Sequence, residues 1–197
     1  MNGYAHQKYA TSLGEFGSLH QLSRSGGWIL KRQIPGFSFL DGMGCYPLFA
    51  CEDWLQIGYD LEDLSSSLVT LSLVADPYGN YTLPFLQECF DRVDTFKEHF
   101  IVDLDLPVKD FVTKHHRYYA RKALRGVTVD CISNPEQFAG EWAHLYANLI
   151  KRHQLTGIKS FSQKAFAMQL GVPGIIVFRV SEGDTLLGAH LWYMQGE

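Results

Sequence analysis

Residues 107–126, PVKDFVTKHHRYYARKALRG, constrain this chain more than any other stretch. Proline suits a first helical turn and glycine a C-terminal stop, so the segment is predicted to be one helix. At about 100° per residue, Val108, Val112, His115, Tyr119 and Ala123 gather on one side. Lys114, Arg117, Arg121 and Arg125 fall in a sector of roughly 80° opposite them. Six Lys/Arg stand against one Asp here. A cationic stripe with an apolar back suits a polyanion, a phosphate-bearing ligand or an acidic surface of the same protein, and a solvated outer face is the plainer alternative.

An acidic counterpart lies directly upstream. Residues 41–106 hold thirteen Asp/Glu and only Arg92 and Lys97, a net charge near −11, whereas residues 107–197 are near +4. The overall −4 conceals that division. So acidic a neighbour argues against a generic nucleic-acid binder and favours two mutually attracting lobes or a cleft with walls of opposite sign. At 46% hydrophobic and 19% charged residues, 197 residues build one large domain or two small ones, not a disordered chain. The longest apolar run, SLVTLSLVA, is too short for a bilayer, and MNGYAHQKYATSLGEF lacks the apolar region of a signal peptide. Cys45, Cys51, Cys89 and Cys131 form no CxxC pair, so core thiols in a reduced, cytoplasmic protein are expected.

The element order is mixed. Residues 1–27 read as a loose lead-in. Trp28–Ile34 reads as a strand closed by Pro35-Gly36. Trp54, Ile57 and Leu61 have helical spacing, Ser67–Ala75 alternates like a strand, Leu83–Cys89 suits a short helix, and Phe100–Leu104 a strand. After the basic helix come a strand at Val127–Ile132 and a helix opened by Asn134, Pro135 and Gln137, with Phe138, Trp142, Leu145, Tyr146 and Leu149 on its buried face. Ser160 or Ser162 caps a further helix through Leu170, stopped by Gly171 and Pro173. GIIVFRV, the turn Ser181–Asp184 and LLGAHLWYMQ make a hairpin.

That order carries particular words: FKEHFIVDL, KHHRYYARKALRGVTVD, PEQFAGEWAHLYANLIKRHQLTGI and VPGIIVFRVSEGDTLLGAHLWYMQGE. Together they resemble the FemAB-like branch of the GNAT acyltransferases, through Arg117, Arg121, Lys122 and Ala123, then Lys151, Arg152, His153 and Gly157, then Gly188-Ala189. The resemblance spans residues 92–197 and extends loosely to 28–91. It implies an α+β fold, a mostly antiparallel GNAT-like sheet flanked by helices. A degenerate acidic lobe would occupy 28–106 and a partial acyltransferase domain 107–197. It further implies N-acyl transfer from acetyl-CoA, another acyl-CoA, or an aminoacyl-tRNA as in the peptidoglycan branch. The acceptor would be an amine on a sugar, an amino acid or a cell-wall precursor. GNAT folds bind the acyl-CoA pyrophosphate in a loop after the fourth strand. The sequence resembles the family only through the third, and the expectation is a fragment inactive alone.

Acyl transfer to an amine needs a base, donors for the oxyanion and orientation. His115 reads as a core histidine on the apolar side of its helix, His116 and His153 as surface or helix-end groups. His190 alternates with Trp192 on one strand face, where the resemblance implies the acyl groove runs; His190 is the candidate base and Trp192 a candidate substrate contact. Arg117 and Arg121 are the candidate phosphate or substrate contacts. No residue is assigned to the cofactor. Adjacent His115 and His116 diverge by about 100° and cannot share a metal. No GxSxG elbow is present. Two alternatives remain: a non-catalytic phosphate- or nucleic-acid-binding module using the basic helix 107–125, and a scaffold whose acidic lobe pairs with that helix.

Overall fold

In the computed structural model, which describes residues 2–195, the N-terminal segment is built into the core. A 3-10 turn at Gly3–Ala5 leads to α1 (Gln7–Ser12), capped where His6 Nδ1 accepts the Lys8 N–H at 3.0 Å. The strand β1 (Ser18–Gln21) follows. The expected loose lead-in is therefore ordered: Tyr9, Ala10 and Leu13 are buried, and a polar composition does not reveal so short an anchored helix.

β1 pairs antiparallel with β2 (Trp28–Gln33), and β2 with β3 (Leu40–Gly44) around the Pro35-Gly36 turn, where Gly36 has φ 81. A 3-10 turn at Trp54–Gln56 and α2 (Ile57–Leu64) then carry the chain across to β4 (Leu71–Ser72), parallel to β3. The expected strand over 67–75 shrinks to these two residues and a bridge from Phe49 to Ala75, because its partner β3 ends at Gly44. α3 (Leu83–Cys89) starts at a Thr82 cap. Ile29 and Leu30 on β2 are both fully buried, one under α2 and α3, the other under α1. A strand covered on both faces loses its polar alternation.

Two expectations fail in the middle of the chain. Phe100–Leu104 forms no strand: Phe100 is 103% exposed, and Asp103 turns the chain by accepting the Asp105 N–H at 3.0 Å. The basic segment is two helices, α4 (Val108–Phe111) and α5 (Lys114–Ala123), separated by extended Val112. Thr113 caps α5 by accepting the His116 N–H at 3.2 Å, and Arg117 donates to the carbonyls of Val112 and Lys109 at 2.5 and 3.3 Å. A cap and a guanidinium on the freed carbonyls stabilise the break. α5 buries no side chain, so the apolar back expected for it is open to solvent.

The rest matches the sequence closely. β5 (Thr128–Cys131) leads through a 3-10 turn at Pro135–Phe138 to α6 (Ala139–His153), ended by Gln154 in the left-handed region. Asn134 makes no side-chain cap. Ser162 caps α7 (Gln163–Leu170) by accepting the Ala165 N–H at 3.0 Å. β6 (Ile175–Glu182) and β7 (Thr185–Tyr193) form the hairpin, and the second sheet runs β5-β6-β7, all antiparallel. The protein is thus a mixed α+β fold with two sheets. The halves share a core: Tyr9, Leu13 and Leu30 cluster with Val172, Ile158, Phe161 and Tyr193.

Candidate functional site

Alternation divides the second sheet into two unlike faces. Val177, Ile175, Ala189 and Leu191 pack inward with Phe138, Ala139 and Leu170. Outward, cross-strand register aligns Cys131 with Phe178 and His190, and Ile176 with Trp192. His190 and Trp192 stack at 6.1 Å, with Trp192 58% exposed, so the structure does bring these two candidates together on one open face. Cys131 is exposed there, not a core thiol.

A cavity of about 380 Å³ opens on the inner side, where β7 meets α1. One wall comes from the N-terminal half. Tyr9 sits edge against face with both Tyr4 and Tyr193, which tilt by 40° to each other, with ring centres 4.9 to 5.4 Å apart, and the Tyr9 hydroxyl donates to the Tyr46 carbonyl at 2.8 Å. The other wall is helical. Trp142 and Tyr146, one turn apart on α6, meet Phe166 of α7 and Phe161 before it. Gln169 lies among the lining residues, one turn beyond Phe166, and His190 borders the cavity from the β7 strand.

The electrostatics are those of a neutral site. Burial pushes the phenols of Tyr4, Tyr9, Tyr146 and Tyr193 above the ordinary tyrosine range, so all stay protonated at neutral pH. The lining residues include no Lys, Arg, Asp or Glu. The Trp142 indole N–H is buried without an acceptor among the described residues. Rings without fixed charge suit an apolar, uncharged body.

Arg117 and Arg121 line no part of this cavity. Both lie on α5, away from His190 and Trp192 in the element order, and Arg117 is engaged by backbone carbonyls. Among the described residues no ion pair joins α5 to the acidic stretch. The pairs present are Lys8–Glu136, Arg24–Asp63, Arg32–Asp41, Arg92–Asp94 and Arg179 with Asp130 and Glu141. The expected mutual pairing of the two regions therefore finds no close ion pair among the described residues. His115 is exposed against Tyr119 at 4.7 Å and is not a core histidine, because α5 has no layer above it.

Sequence reasoning missed the cavity because its rings come from four separated stretches. The only local signal was the spacing of Trp142 and Tyr146, which reads equally as core. Among the described residues no three His, Cys, Asp or Glu side chains converge as a metal site, and no helix is long and apolar enough to cross a membrane. No family model matches this chain, and no curated protein matches it.

Proposed function

We propose that this chain belongs to an N-acyltransferase of the GNAT/FemAB-like type, moving an acyl group, acetyl from acetyl-CoA in the first instance, to an amine acceptor. The observation that carries the reading is topological. β5, two helices, then the β6–β7 hairpin, with β5 antiparallel beside β6, reproduce the order on which the resemblance rests. In the first half, three antiparallel strands followed by a helix and a parallel fourth are consistent with a second, degenerate lobe of the same kind. Four thiols without a bridge agree with a cytoplasmic setting.

In this reading the acceptor amine meets His190 on the open face of the sheet; the imidazole takes its proton as the nitrogen attacks the thioester carbonyl and the carrier's thiolate leaves. Trp192, stacked on His190, restricts the imidazole and meets substrate on the open face. The pyrophosphate of an acyl-CoA finds no fit among the described residues. The cavity offers no cation, and at the loop from β3 into α2 Asp53 already accepts the Leu55 N–H at 3.0 Å, with Glu52 beside it. A carboxylate there repels a phosphate. The resemblance puts that grip after a fourth strand, C-terminal to β7.

The test is calorimetric titration of acetyl-CoA into this chain and into one extended by the following stretch of reading frame. Binding by the extended chain alone supports the proposal, and binding by neither reduces the resemblance to fold. The alternative, phosphate binding by α5, is favoured by one observation: Lys114, Arg121 and Lys122 have no acidic partner among the described residues. Its mark is affinity that falls steeply with salt.

A further inference from the structure

We propose that the unpartnered basic helix α5 docks on a second copy of this chain, which receives it on the acidic outer face of α2. The copies then associate head to tail through opposite charge. This association stands whether or not the chain transfers acyl groups.

The make-up of α5 is the first support. Lys114, Tyr118, Arg121 and Lys122 recur at the spacing that sets them in one stripe along the helix. Nothing in the chain covers that stripe. α5 buries no side chain, Tyr118 is 58% exposed, and none of the three cations makes an ion pair among the described residues. Arginine with tyrosine at its centre is a composition that protein–protein interfaces concentrate.

The second support is a complement on the same chain. Residues 52–63 hold Glu52, Asp53, Asp60, Glu62 and Asp63 and no Lys or Arg. Asp60 is buried on the β1–β2 turn, whereas Tyr59, Glu62 and Asp63, one helical turn apart, face outward from α2. Tyr59 is 52% exposed among carboxylates, as Tyr118 is among cations. This face already holds one guanidinium: Arg24 lies 5.4 Å over the Tyr59 ring and donates to Asp63 at 3.4 Å. A ring beside a carboxylate is a setting that favours a cation. Glu52 and Glu62 make no ion pair among the described residues, so the face has carboxylates left to offer.

The field of the whole chain selects the partner. Residues 41–106 are near −11 and the chain is −4. A nucleic acid or an anionic bilayer attracts α5 but repels that acidic stretch. A second copy presents both signs and so matches both poles. Within one chain the match is not made, since among the described residues no ion pair joins α5 to residues 41–106. Two such contacts related by a two-fold axis close a dimer, and a contact that does not close builds open chains.

The experiment is sedimentation equilibrium of the whole chain over a concentration series. The parent should self-associate at low ionic strength, and raising salt from about 0.05 M to about 0.5 M should weaken it at least about fivefold. Arg121→Glu with Lys122→Glu, and separately Glu52→Lys with Glu62→Lys, should each weaken it at least about tenfold by opposing like charges. All four substitutions in one chain keep the net charge at −4 and restore opposite signs across the contact. That chain should associate within about threefold of the parent. The four positions are exposed, so far-UV dichroism should not change, and the salt series on the parent needs no variant. The proposal is overturned if the parent stays monomeric to about 1 mM at low salt. It is overturned equally if salt or either charge reversal leaves association unchanged, or if the four-fold exchange does not restore it. A monomeric parent that cosediments with phosphatidylglycerol vesicles overturns it in favour of a lipid surface.

Discussion

Gln169 on α7 donates from Nε2 to Ser12 Oγ on α1 across 3.1 Å, and the Ser12 hydroxyl in turn donates a hydrogen bond to the Tyr9 carbonyl at 2.6 Å. Both side chains are buried, at 5% and 3% exposure, beside the aromatic cavity. This short relay ties the first helix to the last and makes the two halves one folding unit. Ser12→Ala leaves the amide without its acceptor and should destabilise the chain by about 1–3 kcal/mol. The Ser12→Ala/Gln169→Leu double variant should lose less than the sum of the singles. Urea melts with fluorescence and far-UV dichroism check both points, and two separate transitions would refute the shared-core picture.

Asp60 plays the same part under the first sheet. Only 2% exposed, it accepts the backbone N–H groups of Arg24 and Ser25 at 3.0 and 2.8 Å, fixing the β1–β2 turn against α2. Asp60→Ala strands two donors and should lower stability by about 2–4 kcal/mol, the charge-assisted pair being worth more than a neutral one. Asp60→Asn keeps one acceptor oxygen and should recover about half of that loss. Equal melting of the two variants would show that the hydrogen bonds do not hold the turn.

What was legible in the sequence is what local chemistry decides. Thr82 and Pro84 mark the start of α3, Ser162 caps α7, and the Gly183 turn sets the β6–β7 hairpin; each is written in a few adjacent residues. What was not legible depends on partners far along the chain. β3 contains Gly42 and Gly44 and lacks strand-formers, yet it pairs on both sides because Leu68, Leu71 and Leu73 lie where any larger side chain would stand. The Phe100–Leu104 run has strand composition but no neighbouring strand to pair with. The cavity needs α1, which looked like a polar lead-in. Only the His190–Trp192 pairing, a consequence of strand alternation, was readable in advance.

The cysteines differ in a way alkylation can read. Burial pushes the thiols of Cys45 and Cys51 up from 9.0 to about 12, Cys51 with added repulsion from nearby carboxylates. Cys131 is exposed on the open sheet face. Iodoacetamide at pH 8 should therefore modify Cys131 first and Cys45 last, as peptide mass mapping over time would report. The same shift fixes the sign of the alkaline limb. The native thiol holds its proton to a higher pH than the unfolded one, so the stabilisation is complete below about pH 9 and declines as pH rises toward 12. Cys45→Ala should flatten that decline while lowering the plateau through lost packing. A variant whose stability falls with pH as steeply as the parent's would assign the alkaline limb to other groups, such as the buried tyrosines.

The basic helix gives the last test, because its arginines have unequal duties. Arg121 and Lys122 make no ion pair among the described residues, whereas Arg117 closes the α4–α5 junction on the carbonyls of Val112 and Lys109. Arg121→Glu with Lys122→Glu should leave folding stability within about 0.5 kcal/mol of the parent, as exposed substitutions do. Arg117→Ala should leave global melting equally unmoved, since α5 buries nothing. It should, however, loosen the junction, so that limited trypsin digestion cuts at Lys109 and Lys114 several-fold faster. If instead the charge reversal destabilises the fold by about 1 kcal/mol or more, α5 docks on the acidic stretch in solution. If the double variant abolishes a salt-sensitive affinity for inorganic pyrophosphate, the helix is a phosphate site in its own right, separate from the uncharged aromatic cavity.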